Sequence, residues 1–441
     1  MVQLFSLQEY LSAHPEVDRV EAFVSDVNGV GRGKWLPRQR ALAISSKGLA
    51  MPRSIFALDI WGRDVREAGL AYGTGDPDGL CWPIAGSVAP VVWADRPTAQ
   101  VMLTMRDGDG APFYADPRAM LGRMVERLNA KGLFPMVATE LEFYLLDDMA
   151  ARPSSRDSGQ VLSIDALRSV APVLDAIEDA CRAQGVPAET IQREYGAGQY
   201  EINLRHIGDA CLAADHAILL KRIVRGTAVR HGRIATFMAK PFGAQAGSGM
   251  HVHVSLLDRA GKTLFADEAG GESAMLGHAV GGLLSTMADA MLLFAPHANS
   301  YRRFSRGAYG PVTASWGYDD RSAAVRVITG SPSETRIEHR LAGADCNPYL
   351  ALTAIFAGML AGIDGAIDPG PRHAPSSHGH GERSLPLDWS PAIAAFAASD
   401  AMADALGTAG RDMVAACKRQ DRDELLTRVP DTEYDTYLAT L

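Results

Sequence analysis

The chain has 441 residues, enough for two unequal domains around a large core, and its 47% hydrophobic and 22% charged content excludes disordered, collagen-like and coiled-coil classes. With 43 basic against 52 acidic residues the net charge is −9, which gives no electrostatic ground for a nucleic-acid partner. Five cysteines without CxxC spacing, Cys81, Cys181, Cys211, Cys346 and Cys417, read as reduced thiols of a cytoplasmic protein and not as a disulfide framework or zinc site.

Residues 1–15 carry Leu4, Phe5, Leu7, Tyr10 and Leu11 around Gln8 and Glu9, an amphipathic helix without the basic start of a signal peptide. Alternation over residues 20–37, broken by Asn28-Gly29, predicts two strands and a turn that open a small β-rich module. A strand, VMLTM, follows at 101–105. Asp116-Pro117 then opens a helix whose Ala119, Met120, Met124 and Leu128 share one face. A boundary near residue 100 divides the chain into domains 1–100 and 101–441. Helical periodicity recurs at 164–184, 212–231, 278–294 and 390–406 between strand-like pieces, an α+β layout. The longest apolar stretch, residues 349–363, is shorter than the ~18 residues a bilayer span needs; it predicts a buried helix and no membrane partner. Residues 369–382, rich in Pro, Ser, Gly and His, read as a loop despite His373, His378 and His380.

Four strand-like segments concentrate chemistry on one face. In residues 137–145, Val137, Thr139, Leu141, Phe143 and Leu145 point one way, Glu140 and Glu142 the other, about 6 to 7 Å apart. In residues 194–204, Gln199, Glu201 and Asn203 oppose Tyr200, Ile202 and Leu204, with Glu194 before a glycine turn. Behind Gly247-Ser248-Gly249, His251, His253 and Ser255 share a face. Residues 336–341 set Arg336, Glu338 and Arg340 together. Five carboxylates and one imidazole without a thiolate favour hard, oxygen-loving ions, Mg²⁺ or Mn²⁺. With Arg303, Arg321 and Arg326 nearby in sequence, they describe a phosphoryl-transfer site. No GxxxxGK[ST] loop is present, so a nucleotide is held by other means.

The segments ELEFYLL, EYGAGQYEINL, FMAKPFGAQAGSGMHVHVSL, NSYRRFSRGAYGPVTASWGYDDRSAAVRV, RIEHR and CNPYLALTAIFAGMLAGIDG resemble, in order and spacing, those of glutamine synthetases. DVNGVGRGKWLP, LDIWG and GDPDGLCWP resemble that family's N-terminal β-grasp domain. The resemblance implies a catalytic domain with a curved antiparallel sheet and flanking helices, and a site between neighbouring subunits of a homo-oligomer, usually a dodecamer of two stacked hexamers. It implies two divalent ions, one on Glu142, Glu194 and Glu201, the other on Glu140, His251 and Glu338. It further implies ATP contacts from His253, Ser255, Arg326 and Arg336, and glutamate contacts from Arg303, Arg340 and the backbone of Gly247. Arg321 matches the arginine at the transferring phosphoryl group, and Asp59 loosely matches an aspartate lent to a neighbour's site.

Two departures from glutamine-making members stand out. Ala246 replaces an asparagine, and Tyr309 replaces a glutamate that helps bind ammonium and remove its proton. At an effective dielectric of ~20 a charge pair at 4 Å is worth about 4 kcal/mol, and a phenol with a pKa near 10 is neutral at pH 7. An organic amine recovers binding along its chain, at about 0.8 kcal/mol per buried methylene. The chain therefore resembles the branch that joins glutamate to organic amines, the γ-glutamylpolyamine and γ-glutamylputrescine synthetases. The expected partners are ATP, glutamate and a small amine, putrescine or a polyamine first, a monoamine or ammonia as alternatives. Asp319, Asp320 and Asp76 are the acids weighed for the amine's far end.

Overall fold

Period-two alternation in the first hundred residues produces a sheet, and the long helical patterns that follow pack around a second one. The computed structural model describes residues 6–148, 160–267, 271–304, 310–373 and 383–441. Its first helix, α1 (Leu7–Ala13), is closed by a reciprocal cap in which the Ser6 hydroxyl accepts from Glu9 N–H and the Glu9 carboxylate accepts from Ser6 N–H. Strands β1 (Arg19–Ser25) and β2 (Gly31–Pro37) follow, then α2 (Arg38–Lys47), β3 (Leu49–Pro52), β4 (Asp78–Pro83), β5 (Ala89–Pro90) and β6 (Thr98–Arg106). They form a six-stranded sheet ordered β2-β1-β6-β4-β3, with β5 beside β6. The expected division at residue 100 falls inside β6, which runs parallel to β1 in this sheet, so the first sheet keeps the chain through Arg106.

The Asn28-Gly29 turn is organised by Asp26, whose Oδ1 accepts from the N–H groups of Asn28 and Val30 and whose Oδ2 accepts from Arg32 Nε at 2.8 Å. It is also tied to the far end of the chain. The buried Lys418 ammonium donates to Asn28 Oδ1 and, at 3.2 Å, to Asp421 Oδ2, while Asp421 Oδ1 accepts from Ile60 N–H.

The second sheet contains β7 (Phe134–Leu146), β8 (Ala188–Arg193), β9 (Gln199–Leu204), β10 (Ile234–Thr236) and β11 (Met250–Leu257). After the short β12 (Thr313–Ala314), which pairs elsewhere, come β13 (Trp316–Tyr318), β14 (Val325–Ile328) and β15 (Arg336–His339). Their order is β13-β14-β15-β11-β7-β9-β8, with β10 on β7. Neighbours are antiparallel except β13 and β14, which run parallel, one departure from an all-antiparallel expectation.

Helices α3 (Pro117–Ala130), α4 (Ile164–Arg168), α5 (Ala171–Gln184), α6 (Ala210–Arg230), α7 (Ala274–Phe294), α8 (Pro348–Gly365), α9 (Trp389–Ala398), α10 (Asp400–Leu406), α11 (Thr408–Leu426) and α12 (Asp431–Tyr437) complete the fold. The helical pattern over 164–184 is split because Pro172 opens α5, and that over 390–406 because the Ser399 hydroxyl caps α10. α7 and α8 are long and apolar enough to span a bilayer, and both are mostly buried against one another in the core. This makes the apolar stretch at 349–363 the buried helix it was expected to be.

Candidate active site

Strand register turns the one-dimensional spacing of acids and bases into a patch. On the central strand β7, Glu140 stands opposite His251 of β11 and Glu142 opposite Glu201 of β9, while His253 stands opposite Glu338 of β15. Directly opposed side chains have Cβ atoms only about 4.5–5.5 Å apart. Glu140, His251 and Glu338 offer ligand atoms all within 4.8 Å of one another, and so do Glu142, Glu201 and His251. His251 Nδ1 lies 3.3 Å from Glu140 Oε2 and 3.7 Å from Glu338 Oε1. His253 Nε2 lies 3.0 Å from Glu140 Oε1, unaligned as a hydrogen bond.

Glu194 stands at the glycine turn between β8 and β9. The Gln192 amide donates to both Glu194 Oε1 and Glu201 Oε1, each at 2.9 Å. Arg193, wholly buried beneath the turn, donates to the carbonyls of Glu194, Gly196 and Gln199. The turn is thus shaped from inside, leaving its carboxylate toward the patch.

The electrostatics of the patch call for cations. Burial, then the neighbouring charges of Glu140, Glu142 and Glu194, push the Glu201 carboxyl up to about 10. Burial raises Glu142 too, with Glu194 adding to it and His251 and the Gly249 N–H opposing. At Glu140 burial acts in the same direction but is outweighed by His251 and His253, which hold the group well below the usual carboxylate range. Glu338 is likewise lowered, against burial, by His251 and Arg340. A set of oxygen donors with one imidazole fits hard divalent cations, whose binding would displace the proton that Glu201 retains.

A pH dependence follows. Between its unfolded value near 4.3 and about 10, Glu201 binds more proton in the folded than in the unfolded chain, so its contribution to stability falls as pH rises. The depressed Glu140 and Glu338 lose their contribution only in acid. The Tm gained by adding Mn²⁺ to chelator-treated protein is therefore expected to be larger at pH 9 than at pH 6. Equal gains at both would remove Glu201 from the displaced protons.

The arginines border the patch. Arg326 donates to Glu338 Oε2 and to Asp319 Oδ1, both at 2.9 Å, and Arg340 donates to Glu338 Oε1. Arg336 Nε donates to His253 Nδ1 at 3.2 Å. His206 meets the His253 ring edge-on at 5.8 Å; burial, then His253 and Arg336, push it down to about 4, so it is neutral. Ser255 is buried on the same strand face.

Arg303 is 7% exposed, donates to the Leu341 carbonyl at 3.0 Å and runs against the loop at Gly247–Gly249. A Cβ on Gly247 would lie 2.6 Å from Arg303 Cγ and 2.9 Å from the Ala239 carbonyl, while one on Gly249 would lie 3.1 Å from Arg303 Nη2. The loop is fastened to β7, since Gly249 N–H donates to Glu142 Oε2 at 3.0 Å and Tyr144 Oη donates to the Ala246 carbonyl at 2.7 Å.

Not every expected residue joins this cluster. Asp59 is wholly buried, with its carboxylate accepting from the N–H groups of Trp61 and Arg63, from Arg63 Nε and from Gln420 Nε2; within one chain it organises its own turn. Arg321 is exposed on the turn between β13 and β14, and Tyr309 lies outside the described residues, as do His378 and His380. The three acids weighed for the amine all have local partners: Arg326 for Asp319, Ser322 for Asp320 and Ser54 for Asp76. Conversely, sequence reading gave no role to Tyr144, Gln192 or Gln199. Each stands two residues from a site glutamate, and that i, i+2 relation was the available signal.

The family model described as "Glutamine synthetase, catalytic domain" matches residues 114–437. The gamma-glutamylputrescine synthetase PuuA of Escherichia coli (strain K12) is 39% identical over 98% of this chain and 94% of its own. The glutamate–isopropylamine ligase of a Pseudomonas species is 31% identical over 83% and 82%, respectively. Among solved structures, one described as a GmaS/ADP complex aligns with a TM-score of 0.87 at 28% identity, covering 98% of this chain and 99% of that one.

Proposed function

Because the chain belongs to the glutamine synthetase family, we infer that it is an ATP-dependent ligase joining the γ-carboxylate of glutamate to an organic amine, with release of ADP and phosphate. The observation that carries this reading is the patch of Glu140, Glu142, Glu201, His251 and Glu338 bordered by arginines, in a chain most of whose length aligns with amine ligases.

Glu142, Glu194 and Glu201 would hold one divalent ion, and Glu140, His251 and Glu338 a second; such ions supply charge neutralisation for phosphate oxygens. Arg303, Arg340 and the Gly247 backbone orient glutamate. His253, Ser255, Arg326 and Arg336 orient ATP so that a γ-carboxylate oxygen attacks the γ-phosphorus and ADP leaves. Arg321 faces the moving phosphoryl group. The amine nitrogen then attacks the acyl carbon of γ-glutamyl phosphate, loses a proton, and phosphate departs. Activation is needed because a carboxylate is a poor acyl electrophile, and exclusion of water protects the acyl phosphate.

Putrescine or a related polyamine is the proposed nucleophile. Tyr309 carries no charge to hold ammonium, and the relatives named for putrescine and isopropylamine lend support. The family resemblance supports a dodecamer in which the turn organised by Asp59 is lent to a neighbour's site, and the five unpaired cysteines suit a reducing cytoplasm.

The test is phosphate release from ATP and glutamate with ammonium, methylamine, ethanolamine, putrescine, spermidine and aromatic amines, with products identified by mass. We expect putrescine or spermidine to exceed ammonium in kcat/KM by about tenfold or more, as two buried methylenes allow. The highest value with ammonium would replace this assignment by an ordinary glutamine synthetase. Release with none would end the ligase reading, and sedimentation showing an active monomer would remove Asp59 from the site.

A further inference from the structure

The structure assigns Gln199 as a positioning residue that ties the ion-facing carboxylate Glu142 to the loop that receives glutamate; this rests on the ligase reading above. Gln199 is wholly buried, yet its amide is fully engaged. Nε2 donates to Glu142 Oε2 at 2.9 Å and to the Gly247 carbonyl at 3.0 Å, and Oε1 accepts from Gly196 N–H at 2.9 Å. The partners dictate which amide atom is which: two acceptors face one end and one donor the other, so a flipped amide would lose all three bonds.

Three segments far apart in sequence therefore meet on one side chain: β7 through Glu142, the glycine turn that carries Glu194, and the Gly247 loop against Arg303. A neutral amide suits this post. It orients the carboxylate with N–H donors while leaving its negative charge for an ion, which a lysine or arginine at the same place would cancel. A hydroxyl on so short a stem as Ser could not reach from β9 to both acceptors. Gln192 offers a built-in comparison, since its amide also holds two carboxylates of the patch, Glu194 and Glu201, but makes no bond to the loop.

The two amides should accordingly fail differently. Gln199→Met preserves length and burial and removes every polar contact. At saturating Mn²⁺ its glutamate KM is expected to rise about tenfold to a hundredfold, the loss typical of hydrogen bonds to charged groups, with ATP KM within about twofold. Gln192→Met is expected to weaken Mn²⁺ binding, measured by electron paramagnetic resonance of free Mn²⁺, and to recover parental glutamate KM once Mn²⁺ saturates.

An unchanged glutamate KM in Gln199→Met would overturn the proposal. So would a parallel rise in glutamate and ATP KM with a fall in Tm, which would mark a general packing role. Should that variant fail to fold, Gln199→Glu decides: it keeps the acceptor for Gly196 N–H but loses the donors, and must show the same selective rise. If the parent turns over glutamate with no amine, the ligase reading fails instead. The hold on Glu142 is then judged by Mn²⁺ affinity alone, weaker in Gln199→Met if the assignment is right and unchanged if it is wrong.

Discussion

Replacing Glu142 by alanine is expected to lower kcat/KM about a thousandfold, a loss of about 4 kcal/mol of transition-state stabilisation at 1.36 kcal/mol per tenfold, while the protein stays folded. Among the described residues the carboxylate accepts from the Gly249 N–H and the Gln199 amide and is destabilised by its burial, so its removal relieves a buried charge and strands two donors. Those terms oppose each other, each worth about 1–3 kcal/mol. Glu338→Ala should behave differently although it stands in the same patch. Glu338 is gripped by Arg326 and Arg340, and breaking a buried ion pair from one side costs about 3–5 kcal/mol. Activity and Tm should therefore fall together in Glu338→Ala, and activity alone in Glu142→Ala. Calorimetry beside phosphate-release kinetics separates the two, and retention of most activity by Glu142→Ala would take that residue out of the metal set.

Gly247→Ala should be nearly as damaging through a single methyl group. The new Cβ would sit 2.6 Å from Arg303 Cγ and 2.9 Å from the Ala239 carbonyl. The arginine stem can shift, but the backbone carbonyl accepts Ser248 N–H and is fixed, so the displacement passes to Arg303 or to the loop. A misplacement of about 1 Å in a positioned group costs on the order of a hundredfold in rate. The expected signature is a large rise in glutamate KM with little change for ATP. Gly249→Ala, whose closest contact is the movable Arg303 Nη2 at 3.1 Å, should be milder. A Gly247→Ala enzyme with parental glutamate KM would mean that this loop does not receive the amino acid.

Much of this site could be read from the order of residues because its strands obey period two. Glu140 with Glu142, His251 with His253 and Arg336 with Glu338 each share a face whatever the fold. Register could not be read that way. That Glu142 opposes Glu201, and His253 opposes Glu338, depends on connections that include whole helices, α5 in the first and α7 in the second. Tyr144 escaped because an aromatic residue in a buried strand looks like core, although it continues the Glu140, Glu142 face. The amide roles of Gln192 and Gln199 needed three dimensions, because neutral side chains announce a function only through their partners. The reach of the first sheet needs three dimensions for a related reason: the parallel pairing of β6 with β1 joins residues almost eighty positions apart, and nothing local in VMLTM announces its partner.

The ammonium group that secures the Asn28 turn has a consequence for how the molecule is made. Lys418 follows Asn28 by 390 residues. At the usual ~5–20 residues per second of translation, the first hairpin waits about 20–80 s for that partner. During this interval the Asn28 amide oxygen and the Ile60 N–H, which ends on Asp421, have only water to satisfy them. The first sheet can pair its strands early, as its own hydrogen bonds allow, but the turn at Asp59, which Gln420 also braces, acquires its final support only when α11 arrives. Nascent chains are thus left exposed at the Asn28 turn for the whole of that interval.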